Sequence, residues 1–122
     1  MADDIRLLYV DDEDSLRMLV KSQLEDEGMV VDTADDGDTG IEALQKYTYD
    51  IILVDMRMPR VSGIDVLKHI REKKIKSRVI VLTAVDDLSV AIEAVKNGAN
   101  DYITKPYDLN NLLSSIKRVM AK

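Results

Sequence analysis

A three-layer α/β sandwich, with a parallel sheet between two layers of helices, is the fold class this sequence predicts. Three observations point to it. Short apolar runs alternate five times with stretches whose apolar residues repeat at helical spacing. Two of those runs, Ile51-Ile52-Leu53-Val54 and Val79-Ile80-Val81-Leu82, are apolar throughout, as parallel strands covered on both faces must be. The polar residues with chemistry to offer gather just after the runs, at Asp11-Asp12, Asp55, Thr83 and Lys105.

The strands are expected at 6–10, 29–33, 50–54, 78–82 and 100–103. After the first, Leu16, Leu19, Val20 and Leu24 share one helical stripe. Ile41 with Leu44, and Ile64 with Leu67 and Ile70, mark the second and third helices. Leu88, Ala91, Ile92 and Val95 predict the fourth. Leu109, Leu112, Leu113, Ile116, Val119 and Met120 carry the fifth to the end of the sequence. Gly28 and Gly98 stand where helix C-caps belong, and Asp38, Asp86 and Asp108 where N-caps do.

At 122 residues the chain is expected to be one domain, residues 1–122, with no repeat or linker inside it. A composition of 46% hydrophobic and 33% charged residues fits a globular protein with a proper core. There is no cysteine, which excludes disulfides and thiolate metal sites. No apolar run approaches the roughly 20 residues a membrane span needs. The start, Met1-Ala2-Asp3-Asp4, lacks the basic residues of a signal peptide, so a cytoplasmic location is expected. A net charge of −6 argues against direct nucleic-acid binding, and no direct membrane binding is expected either.

In open parallel sheets the ligand crevice lies beyond the C-terminal ends of the strands. Asp11-Asp12, Asp55, Thr83 and Lys105 all fall there, after the first, third, fourth and fifth strands. A carboxylate at the lip of a buried strand is costly without a counter-charge. Three carboxylates and one ammonium leave a formal charge of −2, which one Mg²⁺ would cancel in oxygen-rich surroundings. Each residue also has a bland reading. Asp-Asp pairs occur four times in this acidic chain, and one before a helix is often a cap. Lys105 before a proline reads as a turn lysine, Thr83 as a β-branched strand residue, and Tyr102 as a half-buried strand aromatic. His69, the only histidine, reads as a partly exposed helix residue. The conjunction of the strand ends favours the site.

Those residues resemble the receiver domains of bacterial two-component response regulators. The resemblance spans essentially the whole chain: the acidic pair, Val54-Asp55-Met56-Arg57-Met58-Pro59 with Gly63 following, Leu82-Thr83-Ala84, and Gly98-Ala99-Asn100-Asp101-Tyr102-Ile103-Thr104-Lys105-Pro106-Tyr107. It implies a flavodoxin-like five-stranded sheet in the order 2-1-3-4-5 with five helices, an order that chemotaxis receivers themselves exemplify and that comes here through the resemblance alone. It also implies that Asp55 takes a phosphoryl group from a sensor histidine kinase or phosphotransfer protein. Asp12, Asp55 and the Arg57 backbone carbonyl would ligate Mg²⁺, or Mn²⁺ in its place, with Asp11 acting through a water. Lys105 would neutralise the phosphoryl oxygens and Thr83 would donate its hydroxyl to them. Tyr102 would then rotate inward, altering the face built from the fourth helix, fifth strand and fifth helix. Pro106 would follow a cis peptide bond that aims Lys105. Such a domain is not a turnover enzyme. It undergoes metal-assisted self-phosphorylation and autodephosphorylation only.

Arg57 and Val85 stand where receivers vary, and the expectation is that together they slow loss of the phosphoryl group. Met56 and Met58 read as packing and loop residues. A haloacid-dehalogenase-type phosphatase shares the nucleophile, but Arg57 stands where that class needs its second carboxylate. A flavodoxin-like FMN binder shares the fold, but Asp11-Asp12-Glu13-Asp14 would repel its phosphate. A receiver-fold module that ignores phosphate would be expected to have lost Asp12, Asp55 or Lys105, and none is missing. The output is expected to be an output domain, a target protein or a phosphorylation-dependent homodimer. Its expected surface includes Tyr102, Tyr107, Asn110 and Asn111, on a free-standing receiver or the first part of a longer regulator.

Overall fold

The apolar runs become adjacent strands because each buries both faces and each leaves a full row of backbone donors and acceptors to be paired. The computed structural model describes residues 4–84 and 86–121, so Val85 lies outside the described residues. The strands are β1 (Arg6–Val10), β2 (Val30–Ala34), β3 (Ile51–Asp55), β4 (Arg78–Ala84) and β5 (Asp101–Lys105). All pair in parallel, in the order β2-β1-β3-β4-β5, as expected. The helices are α1 (Asp14–Asp26), α2 (Gly37–Lys46), α3 (Gly63–Glu72), α4 (Leu88–Lys96) and α5 (Leu109–Met120).

Alternation along the strands sorts the core into two layers. Leu8, Val10, Ile52, Val54, Val79 and Val81 pack with Val66, Leu67 and Ile70 of α3 and Ala94 of α4. Leu7, Tyr9, Ile51, Leu53, Ile80 and Leu82 pack on the other face with Val20 and Leu24 of α1 and Leu112, Ile116 and Val119 of α5. Among the described residues no helix is long and apolar enough to cross a membrane.

Several boundaries run one or two residues later than the apolar runs suggest, because pairing continues after hydrophobicity stops. Thr83 and Ala84 pair with Thr104 and Lys105, and Asp11 N–H still donates to Ala34 O at 3.1 Å. The caps differ too. Asp36, not Asp38, caps α2 by accepting from Thr39 N–H at 2.8 Å, which leaves Asp38 in the first turn. The N-cap residue of α4 is Asp87, not Asp86, and its side chain makes no cap hydrogen bond. Asp108 caps α5 as expected, in a reciprocal pair with Asn111. Gly28 and Gly98 end their helices in the left-handed region, at φ 92° and 101°.

The stripe on α4 faces the other way from the expected one. Ala91 and Ala94 are buried, whereas Leu88, Ile92 and Val95 are about half exposed. Small residues let this helix lie close against β4 and β5, so its large side chains point outward. Behind it, Arg71 of α3 donates to Gly98 O at 2.8 Å, to Ile75 O at 3.0 Å and to Asn100 Oδ1 at 3.1 Å. That half-buried guanidinium fastens the end of α3 to the turn between α4 and β5.

Gly63 opens α3 directly beneath the end of β3. A Cβ there would lie 2.5 Å from Asp55 O and 2.7 Å from Met56 Cα, which are backbone atoms without a rotamer to escape through. Gly63→Ala is therefore expected to cost about 1–3 kcal/mol, the usual range for overpacking. A urea midpoint equal to that of the wild type would show that the loop yields instead.

Candidate functional site

The parallel sheet brings the ends of β1, β3 and β5 to one edge, with β4 between the last two, and their polar residues meet there. One oxygen each from Asp11, Asp12 and Asp55 lies within 4.8 Å of the others. Asp11 is fully buried, Asp55 is 5% exposed, and Asp12 faces solvent. From β5, Lys105 Nζ lies 3.2 Å from Asp55 Oδ2. The Lys105–Pro106 peptide is cis.

Burial holds the Asp55 carboxyl above its ordinary pKa, the Lys105 ammonium pulls it back, and the Asp11 charge pushes it up again. The donor set therefore fits a hard divalent cation. It is all oxygen, it is anionic, and one nearby ammonium does not balance it. The Arg57 N–H leans toward Asp55 Oδ1 at 3.3 Å.

Thr83 sits one residue past the β4 partner of Asp55 and is 2% exposed. Among the described residues its hydroxyl contacts are long, 3.5 Å to Ala84 O and to Asp87 O. That length makes them weak, so the hydroxyl is nearly uncommitted. Tyr102, on β5, is 40% exposed and points outward. The expected grouping of Asp11, Asp12, Asp55 and Lys105 is thus met in space. Thr83 is at the adjoining strand end, and Tyr102 stands apart on the outer face.

Three features were not foreseen from the sequence. Arg57, expected to help slow loss of the phosphoryl group, spends its guanidinium on Asp87, with Nη2 to Oδ1 at 2.7 Å. The Arg57 hydrogen bond, with its charge, holds the Asp87 carboxyl below the usual range. Only its place two residues after Asp55 hinted at this, because the partner lies thirty residues away.

Tyr9 is the second. Its hydroxyl, fully buried, donates to Asp11 Oδ2 at 2.7 Å. A tyrosine two residues before Asp11 on one strand shares its face, and that was the available signal. Tyr107 is the third. Counted in the expected partner surface, it is half-buried, with its hydroxyl 3.0 Å from that of Tyr9. Burial raises the pKa of both phenols, that of Tyr107 to about 12, so both keep their protons at neutral pH.

Beside the site, Leu88, Ile92 and Val95 of α4 and Tyr102 of β5 form an exposed apolar strip. Asn110 and Asn111 lie exposed at the start of α5. A groove lined by Asp101, Thr104 and Arg118 runs between β5 and α5.

Known proteins resemble this chain in sequence and fold. A family model described as the response regulator receiver domain matches residues 7–117. The transcriptional regulatory protein DltR of Streptococcus agalactiae is 40% identical over 113 residues, which is 93% of this chain and 50% of that protein. The regulatory protein AtoC of Escherichia coli is 35% identical over 94% of this chain but only 25% of its own length. This chain thus spans half or less of each of these two relatives. Among solved structures, the receiver domain of Francisella response regulator 1452 superposes with a TM-score of 0.88 at 31% identity, covering 95% of this chain and 96% of that one. A response regulator receiver domain protein from Clostridium thermocellum gives 0.90 at 33% identity, over 96% of this chain and 94% of that one. The match runs from β1 almost to the end of α5, and this chain belongs to the response regulator receiver domain family.

Proposed function

We propose that this chain is a phosphoacceptor receiver, and that Asp55 takes a phosphoryl group from a phosphohistidine of a sensor kinase or phosphotransfer protein. The observation that carries this reading is the Lys105 ammonium 3.2 Å from a nearly buried Asp55, which lies within cation-sharing distance of Asp11 and Asp12. An Asp55 oxygen attacks phosphorus, the N–P bond to the histidine breaks, and the departing imidazole keeps the electron pair and takes up a proton. Asp55 becomes an acyl phosphate.

Asp12, Asp55 and the Arg57 carbonyl would hold Mg²⁺, with Asp11 reaching it through a water. The cation, when bound, supplies charge stabilisation for the transferring oxygens. The Lys105 ammonium would add its own charge and hydrogen-bond donors to the same oxygens. Phosphoryl transfer asks mostly for positioning and charge, and a strand end supplies the first. Thr83, with its hydroxyl nearly uncommitted, is free to turn toward a phosphoryl oxygen.

As Thr83 moves, Tyr102 has space to turn inward, and the strip on α4, β5 and α5 changes its shape. That strip is the proposed contact surface for an output domain, a target protein or a second copy. A cytoplasmic place, beside such a kinase, suits this role.

Incubation with acetyl phosphate and Mg²⁺ is expected to add one phosphoryl mass to the wild type and none to Asp55→Asn. A wild type that gains no mass would remove the proposal. Thr83→Ala is expected to keep phosphorylation but to lose the change in partner or self-association that follows it.

The raised pKa of Asp55 sets a second expectation. A carboxyl whose folded value lies above its unfolded one adds stability below the unfolded pKa and loses it as pH rises through the folded value. In metal-free buffer near neutrality, Asp55→Asn should therefore melt a few degrees above the wild type. The gap should close as pH falls into the carboxylate range, and Mg²⁺ should stabilise the wild type more than the variant. Equal melting curves throughout would mean that Lys105 fully offsets the burial.

Arg57 also bears on the lifetime of the acyl phosphate. Released from Asp87, its guanidinium would cover the phosphoryl oxygens and hinder the attacking water. Arg57→Asn is expected to shorten the lifetime several-fold, and an unchanged decay rate would show that Arg57 stays with Asp87.

A further inference from the structure

We propose that Tyr9 and Tyr107 are positioning residues that set the orientation of Asp11, and through it the affinity of the acidic trio for a divalent cation. This inference rests on the cation-assisted reading above.

The direction of the chain follows from its chemistry. A carboxylate only accepts hydrogen bonds, so the single proton of the Tyr9 hydroxyl goes to Asp11 Oδ2, 2.7 Å away. Tyr9 then has only lone pairs to offer Tyr107, so at 3.0 Å Tyr107 is the donor. The other Asp11 oxygen, Oδ1, accepts from the Glu13 N–H at 2.9 Å. Both oxygens are therefore held from outside the trio, and the carboxylate cannot swing. What remains of its acceptor capacity is fixed relative to Asp12 and Asp55, 4.8 Å away at most.

The hydroxyl is what calls for an explanation. The Tyr9 ring lies in an apolar layer with Leu7, Leu53, Leu82 and Leu112, where a phenylalanine would pack as well. A buried hydroxyl is costly unless bonded, and the bonds that satisfy this one lead to Asp11 and Tyr107. Tyr107 follows Lys105 by two residues, beyond Pro106. The short segment from the end of β5 to Tyr107 thus reaches both buried carboxylates, Asp55 through Lys105 and Asp11 through the tyrosines. Groups that orient a metal ligand in this way typically account for 10–100-fold in affinity.

The test is Mn²⁺ binding to the 122-residue protein near neutral pH, read from the electron paramagnetic resonance signal of the free ion. Tyr9→Phe is expected to weaken binding about tenfold or more, and Tyr107→Phe by less. The double variant should bind like Tyr9→Phe alone, because the two hydroxyls act as one chain. Tyr49→Phe, which removes a hydroxyl bonded to Asp32 at 2.6 Å, should bind like the wild type.

Wild-type affinity in both single variants, additive losses in the double, or an equal loss in Tyr49→Phe would overturn the proposal and leave the cation site standing. A wild type that binds no Mn²⁺ would overturn the cation reading itself. Should Tyr9→Phe fail to fold, Tyr107→Phe decides alone, since its ring is only half-buried and unchanged affinity there sinks the chain.

Discussion

Asp55 is held where a carboxylate is least at ease, at the end of a strand whose other residues are wholly buried and apolar. Its pKa rises because burial outweighs the Lys105 ammonium, and Asp11 adds to the rise. Everything around the site answers that constraint. β1 brings two more carboxylates, which deepen the problem but complete a ligand set. β5 brings an ammonium close to Asp55. The parallel sheet makes the meeting possible, because parallel strands end on the same edge and antiparallel neighbours would carry their polar ends apart.

The sheet also decides which parts of the site are stiff. β3 lies between β1 and β4 and is buried along its length, so Asp55 cannot shift without moving the core. Gly63 removes the Cβ that would press on the Asp55 carbonyl, and it lets α3 begin directly under the strand end. α4 is held differently. It buries alanines rather than large side chains, and the residue at its N-cap gives its carboxylate to Arg57 instead of to the helix backbone. A helix with a small buried face and no side-chain cap is less firmly seated than α3, whose first turn carries a reciprocal Ser62–Asp65 cap. On the proposed reading the fold fixes the nucleophile and leaves the responding helix loose.

Much of this was legible in the sequence, for reasons that can be named. The continuous apolar runs at 51–54 and 79–82 could only be central strands, and the residues after them could only lie at one edge. The grouping of Asp11, Asp12, Asp55 and Lys105 followed from that edge, while the order of the strands came through family resemblance. Illegible were features that depend on how closely elements approach. The stripe on α4 looked core-facing because Leu88, Ile92 and Val95 are large and apolar, but a close helix-to-sheet contact admits alanine and turns them out. Asp38 and Asp86 looked like caps because aspartates in runs are interchangeable by composition, and backbone geometry chose Asp36 and Asp87. The reach of Arg57 to Asp87 depends on a side-chain path that spacing does not encode.

Tyr107 shows most clearly what the three-dimensional arrangement adds. From sequence it belonged to the expected partner surface, with Tyr102, Asn110 and Asn111. In the fold it is the outer end of a hydroxyl chain running through Tyr9 to Asp11. Its position two residues beyond Lys105 gives the segment that joins β5 to α5 a hold on each of the two buried carboxylates. A change in charge at either one is then felt by the same backbone segment. If a cation draws on Asp11, or a phosphoryl group takes the place of the Asp55–Lys105 pair, the loop that opens α5 has to accommodate both contacts at once. Coupling of that kind needs no long pathway through the core. It needs only one short segment whose two side chains answer to two charges.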